Sequence, residues 1–231
     1  MHPIHYATPA WQLGFDLGQR QDYSALSTLE IFWTYQGRDP YSFAHVYRPT
    51  LNVCGLTRYP LGTSYAAYPV IVANRLDRIR QSRSAGLPFA PGTIAMAIDA
   101  GGPGGPLVDL LRDAKLDVAL FPLLITGGDS PGYAANGYRT VPRRDLLTNL
   151  AVLLDFDILM WPEALPNRRL LEEEIMSLAG ANGQPGVPGA HDDLVMSIAI
   201  AAWIAKVRFP QIMPKETAKN VRHWTPHGSL F

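Results

Sequence analysis

The sequence predicts an α/β protein built around a mixed β-sheet flanked by helices. Three observations carry that expectation. Successive alternating or β-branched runs with short connections open the chain and suggest an antiparallel meander. The nearly all-apolar run Thr93–Asp99 then begins a strand, helix, strand unit, as expected of a central strand buried on both faces. Finally, Leu194–Trp203 is apolar all round and follows a Gly/Pro-rich loop, the mark of a buried helix.

In chain order, Trp11–Asp16 reads as a first strand ending in a turn at Leu17-Gly18-Gln19. Tyr23–Thr34, with Leu26, Thr28, Ile31 and Trp33, reads as a second strand, and Ser42–Tyr47 as a third. Thr50–Pro69 is rich in Pro, Gly and Tyr and has no assignment. From Val70 the spacing turns helical through Ala73, Leu76 and Ile79, until Gly86 and Pro88 end it. After the strand at Thr93–Asp99 and the glycines that follow it come a helix over Pro106–Lys115 and a buried strand over Asp117–Thr126. A Gly-rich loop spans Gly127–Gly137, and Pro142-Arg143-Arg144-Asp145 opens another helix through Leu154. Asp157–Trp161 reads as a short strand, and Asn167 caps a helix running through Ser177. The expected organisation is one domain over residues 1–207, followed by a polar, loosely packed tail over 208–231.

The composition narrows the function classes. An apolar fraction of 47% and a charged fraction of 17% fit a globular protein in 231 residues and argue against disorder. Lys plus Arg equals Asp plus Glu at 20 each, so nucleic acid would have to be held by local basic patches rather than by a net field. The single Cys54 excludes an internal disulfide framework and reads as a packing residue in a reducing compartment. No secretory signal and no bilayer-length apolar run is visible, so the expected location is cytoplasmic.

The carboxylates carry the chemistry. Asp16 ends the first strand, Asp99 ends the buried fourth one, and Asp192 and Asp193 open the last long helix beside His191. One Asp there suits an N-cap at the positive end of the helix dipole; the second Asp and the His are left over. Strand ends in open α/β sheets share a crevice, and aspartates buried there are costly without cations, so a divalent metal site explains all three positions together. Oxygen ligands without cysteine select Mg²⁺ or Mn²⁺. Two such ions roughly 4 Å apart would activate water and stabilise the leaving oxygen of a phosphodiester, the chemistry of a nuclease.

Phe15-Asp16-Leu17-Gly18-Gln19-Arg20-Gln21-Asp22-Tyr23-Ser24-Ala25-Leu26, Ile98-Asp99-Ala100-Gly101-Gly102 and His191-Asp192-Asp193-Leu194, in that order, resemble the nuclease domain of phage terminase large subunits, members of the RNase H-like superfamily. Leu124-Ile125-Thr126-Gly127-Gly128 and Val141-Pro142-Arg143-Arg144-Asp145-Leu146-Leu147 add to the likeness, which spans about Leu13 to Ala205. The resemblance implies an RNase H-like fold and a Mg²⁺- or Mn²⁺-dependent endodeoxyribonuclease that cuts concatemeric phage DNA during packaging. Asp16, Asp99 and one or both of Asp192 and Asp193 would bind metal, since adjacent helical residues diverge by roughly 100° and the sequence leaves the choice open. His191 would be a ligand, a proton shuttle or a supporting partner. Arg139, Arg143 and Arg144, with Lys215, Lys219, Arg222 and His223 in the tail, are the candidate DNA contacts. Asp22 suits the turn rather than catalysis.

The implied partners are double-stranded DNA, a packaging ATPase, a small terminase subunit or a portal, in a bacterial host cell. No G-x-x-x-x-G-K-[ST] motif occurs, so motor function is not implied and the chain reads as an excised or free-standing nuclease. Rival readings are a RuvC-like Holliday junction resolvase, an actin-like or sugar-kinase-like ATP-binding protein, and a non-catalytic scaffold.

Overall fold

A computed structural model describes residues 10–18, 22–84, 94–180 and 191–214. The first strand, β1, covers Ala10–Asp16 and pairs antiparallel with β2, Ser24–Arg38, which in turn pairs antiparallel with β3, His45–Tyr59. This is the meander expected from the sequence, with a longer second hairpin: β3 takes up half of the stretch that composition left unassigned. Pro49 and Gly55 lie within it, tolerated because only Leu51 and Asn52 find a partner on its outer side. A β-bulge between β2 and β3 leaves Cys54 as the unpaired residue. Cys54 is therefore exposed, with its Sγ 3.4 Å from the Thr28 carbonyl, and is not the packing residue its type suggested.

Helix α1, Tyr68–Ser84, leads to β4, Ile94–Asp99, which pairs parallel with β1. Gly86 and Pro88, the expected helix terminators, lie outside the described residues. Helix α2, Gly104–Asp113, crosses to β5, Ala119–Thr126, parallel to β4. The Gly-rich loop beyond it contains a two-residue strand, β6, Gly132–Tyr133, paired with β7, Arg139–Pro142, which extends the sheet parallel to β5. Helix α3, Arg143–Asp155, strand β8, Leu159–Met160, helix α4, Arg168–Ala179, and helix α5, Asp193–Arg208, complete the chain. The sheet has eight strands in the order β6-β7-β5-β4-β1-β2-β3-β8. A 3₁₀ turn over Pro210–Ile212 brings Ile212 into the core, and residues 215–231 lie outside the described part. No described helix is long and apolar enough to cross a membrane.

Strand alternation divides the core into two layers. Trp11, Leu13 and Phe15 of β1 and Ile94, Met96 and Ile98 of β4 face α1 and α2. The intervening residues face α5, whose residues from Asp193 to Ala205 are all buried between the sheet, α3 and α4. Gly14 permits that approach: a Cβ there would sit 2.0 Å from the Ser197 carbonyl oxygen and 2.7 Å from the Ala201 nitrogen. Asn167 begins α4 with φ 62° and makes no capping bond; its Nδ2 donates to the Leu56 carbonyl at 3.2 Å and so ties α4 to β3.

Candidate acidic site at the strand ends

One row of the sheet positions the site. Asp16 pairs with Ala25 and Ala25 with Arg58, while Asp99, one step past the Phe15–Ile98 pair, lies beside Asp16 and pairs with Leu123. Leu123 and Ala25 belong to the core layer under α5, so by alternation Asp99, Asp16 and Arg58 point to that same face. The N-terminus of α5 arrives over this row. The candidate acids at Asp16, Asp99, Asp192 and Asp193 are thus brought to one end of the central strands.

Their electrostatics differ. Burial pushes the Asp16 carboxyl well above the usual carboxylate range; Asp99, Asp193 and Asp192 push it further in that order, and Arg143 opposes them. Among the described residues the Asp16 carboxylate has no hydrogen bond or ion pair. Burial also raises Asp99, although Oδ1 accepts the Gly101 N–H at 2.9 Å and the Ile125 N–H favours the ionised form. Asp193 is 7% exposed and is raised by burial, with Arg58 and His191 opposing. Its Oδ2 is 3.7 Å from Arg58 and 3.8 Å from His191 Nδ1, beyond hydrogen-bond range, and is a buried oxygen with no hydrogen-bond partner. Asp192 is ion-paired with Arg143. Among the described residues no three His, Cys, Asp or Glu side chains converge as a ready-made metal cage.

Neither Asp caps α5. Asp192 occupies the N-cap position without a side-chain capping bond, and its carboxylate turns to Arg143. The free Val195 N–H donates instead to Glu174 Oε2 of α4 at 3.0 Å. Glu174 also pairs with Arg58 through Oε1. Sequence reading missed both residues: Glu174 sits in a run of three glutamates on an ordinary amphipathic helix, and Arg58 in a stretch without assignment. The register of β3 was the signal that would have revealed Arg58.

The other candidates separate. His191 is exposed at the rim, edge-on to the Tyr23 ring at 4.9 Å between centroids, and Arg58 lies over that ring at 5.0 Å. Of the proposed DNA contacts, Arg143 is part of the acidic site. Arg144 reaches the Asp129 carbonyl at 3.0 Å and the Asp145 carboxylate at 3.5 Å, while Arg139 lies over Tyr133. Lys215, Lys219, Arg222 and His223 lie outside the described residues. Asp22 is exposed; the turn after β1 is held by Ser24 Oγ, which accepts the Gly18 N–H at 3.1 Å.

The meander, the central parallel strands and a last helix laid over their acidic ends define an RNase H-like fold. The fold is similar to that of terminase nuclease domains. It superimposes on the human cytomegalovirus terminase nuclease domain with a TM-score of 0.51 at 11% identity, covering 85% of this chain and 84% of that one. The manganese-soaked, inhibitor-bound form of the same domain gives 0.53 at 11% identity, covering 88% and 86%. No protein-family model and no curated protein sequence matches the chain.

Proposed function

We propose that this chain is a divalent-metal-dependent endodeoxyribonuclease of the terminase type. The observation that carries the reading is that Asp16 and Asp99 stand side by side at the ends of adjacent parallel strands, one step past the Phe15–Ile98 pair, on the face that receives the N-terminus of α5. Two neighbouring acids, both pushed toward protonation, with no cation fully assigned to them, form a poor structural feature and a good receptor for a hard cation. The donor set fits: carboxylate oxygens without sulfur, including the buried, unpartnered Oδ2 of Asp193. Asp16, Asp99 and Asp193 would hold Mg²⁺ or Mn²⁺, which supplies a water of lowered pKa and charge neutralisation at the leaving oxygen. That the cytomegalovirus terminase nuclease domain was studied soaked in manganese supports this choice.

The chain's own residues have separable duties in this reading. Asp192 keeps Arg143 at the rim of the site, where its planar guanidinium suits a phosphate of bound DNA. Arg144 and Arg139, farther along the same edge, would contact the backbone of the duplex without reading its sequence. His191, exposed beside Asp193, would serve as a ligand, a proton shuttle or a supporting partner near the reacting phosphate. The DNA would be delivered by packaging partners such as an ATPase, a small terminase subunit or a portal.

The test is Mn²⁺-dependent cleavage of supercoiled plasmid. Asp99→Asn should lose cleavage while its circular dichroism matches wild type. Equal cleavage by both proteins refutes the proposal, and strong preference for four-way junctions over linear duplex would turn it into a junction resolvase.

A further inference from the structure

We infer that Glu174 and Arg58 form a positioning pair for Asp193, in which Glu174 neutralises Arg58 so that Arg58 orients the acid without competing with the cation. The inference rests on the nuclease reading above. Glu174 is 5% exposed, on a helix whose neighbouring glutamates Glu172 and Glu173 make ordinary surface pairs with Arg168 and Arg169. Burying a carboxylate is costly, so its two contacts are informative. One oxygen accepts the Val195 N–H in the first turn of α5, and the other pairs with Arg58. A single side chain thus sets both the helix start that carries Asp193 and the cation that faces it.

Arg58 in turn is held from three sides. Glu174 binds one end of its guanidinium, the Tyr23 ring lies under it at 5.0 Å, and Asp193 Oδ2 stands 3.7 Å away. An arginine with no counter-ion at that distance would oppose a divalent ion at Asp193 by Coulomb repulsion. Paired with Glu174 it presents little net charge and retains its shape. Asp193 is left oriented, close to a guanidinium but not hydrogen-bonded to it, with an oxygen available to a metal.

The pair makes a prediction that simple structural support does not. In Glu174→Gln the amide oxygen still accepts from Val195 N–H, but Arg58 is left uncompensated beside Asp193. Mn²⁺ binding to the 231-residue chain, measured by titration calorimetry without DNA, should weaken about tenfold or more, the usual scale for outer-shell partners of a metal. The double variant Glu174→Gln/Arg58→Gln, which removes the stray charge, should recover most of that loss. Arg58→Lys keeps the charge but not the planar fork, and should fold and bind Mn²⁺ several-fold more weakly, giving a second reading should Glu174→Gln fail to fold. Thermal unfolding in EDTA is measured alongside.

Variants that change melting temperature but keep Mn²⁺ affinity within about twofold of wild type, or a double variant no better than Glu174→Gln, overturn the inference. Wild type that cleaves no DNA and binds no Mn²⁺ overturns the nuclease reading, and the pair with it. Wild type that binds and cleaves while the variants do likewise overturns the pair alone.

Discussion

The two halves of the acidic site are built on different terms. The strand half, Asp16 and Asp99, lies at the ends of two central strands of the sheet; its carboxyls are raised by burial, and no described cation pairs with either directly. The helix half, Asp192 and Asp193, has an arginine for each acid, and those arginines come from α3 and β3. The strand half therefore carries acids that no described cation pairs with, while in the helix half Asp192 is paired with Arg143 and Asp193 has Arg58 nearby without a hydrogen bond to it. In the nuclease reading, the first property would attract the cation and the second would limit the repulsion among the acids in the metal-free protein.

The sharpest way to break this comparison is to neutralise the strand half. Asp16→Asn and Asp99→Asn should each lower Mn²⁺-dependent plasmid cleavage by about a thousandfold, about 4 kcal/mol of transition-state stabilisation; Asp192→Asn should cost far less. Comparable losses for all three in single-turnover assays would erase the distinction between halves. Next in size is the contact that seats the helix on the strands. Gly14→Ala places a methyl against α5 backbone and should destabilise by about 3 kcal/mol in urea unfolding, the upper part of the overpacking range.

A third effect is smaller and opposite in sign. The carboxyls of Asp16, Asp99 and Asp193 are all raised in the folded state, so folding retains protons that the unfolded chain has released. Their contribution to stability is greatest below the unfolded carboxylate range, at about pH 4, and declines as pH rises through the folded values. Asp16→Asn removes the largest part of this penalty. In EDTA at pH 7 it should melt higher than wild type, by about 2–4 °C for each kcal/mol relieved, and the gap should close at pH 4 and in the presence of Mn²⁺. A lower melting temperature for the variant would mean that Asp16 is structurally satisfied.

The smallest effect concerns the rim. Arg144→Ala should reduce the slope of log affinity for duplex DNA against log salt by about 0.9, one phosphate contact, with cleavage at saturating DNA unchanged. Arg143→Ala should instead slow cleavage at saturation. Identical behaviour in filter-binding and cleavage assays would merge the two arginines into one surface.

The fold was legible where burial and periodicity coincide. The all-apolar Ile94–Ile98 and the helix from Leu194 have one way to be buried, and both stand where their patterns put them. β3 was half hidden because Pro49, Gly55 and the tyrosines look like loop; an outer strand tolerates them where a central one would not. β6 and β7 are too short to show a period, and they exist because β5 offers an edge.

The acids at Asp16, Asp99, Asp192 and Asp193 were named by the sequence, because a carboxylate closing an apolar strand, or a doubled one opening an apolar helix, has no cheap explanation in local structure. What the sequence could not assign was their partners. That Asp192 faces Arg143 and Asp193 faces Arg58, and that a glutamate 21 residues away caps the helix in place of either, depends on register and on how α4 lies against α5. Charges that look like solvated surface in one dimension become counter-ions only when the sheet brings strand ends from distant parts of the chain into one row. The sequence determined which side chains would be expensive to bury; the tertiary structure decided what compensates each of them.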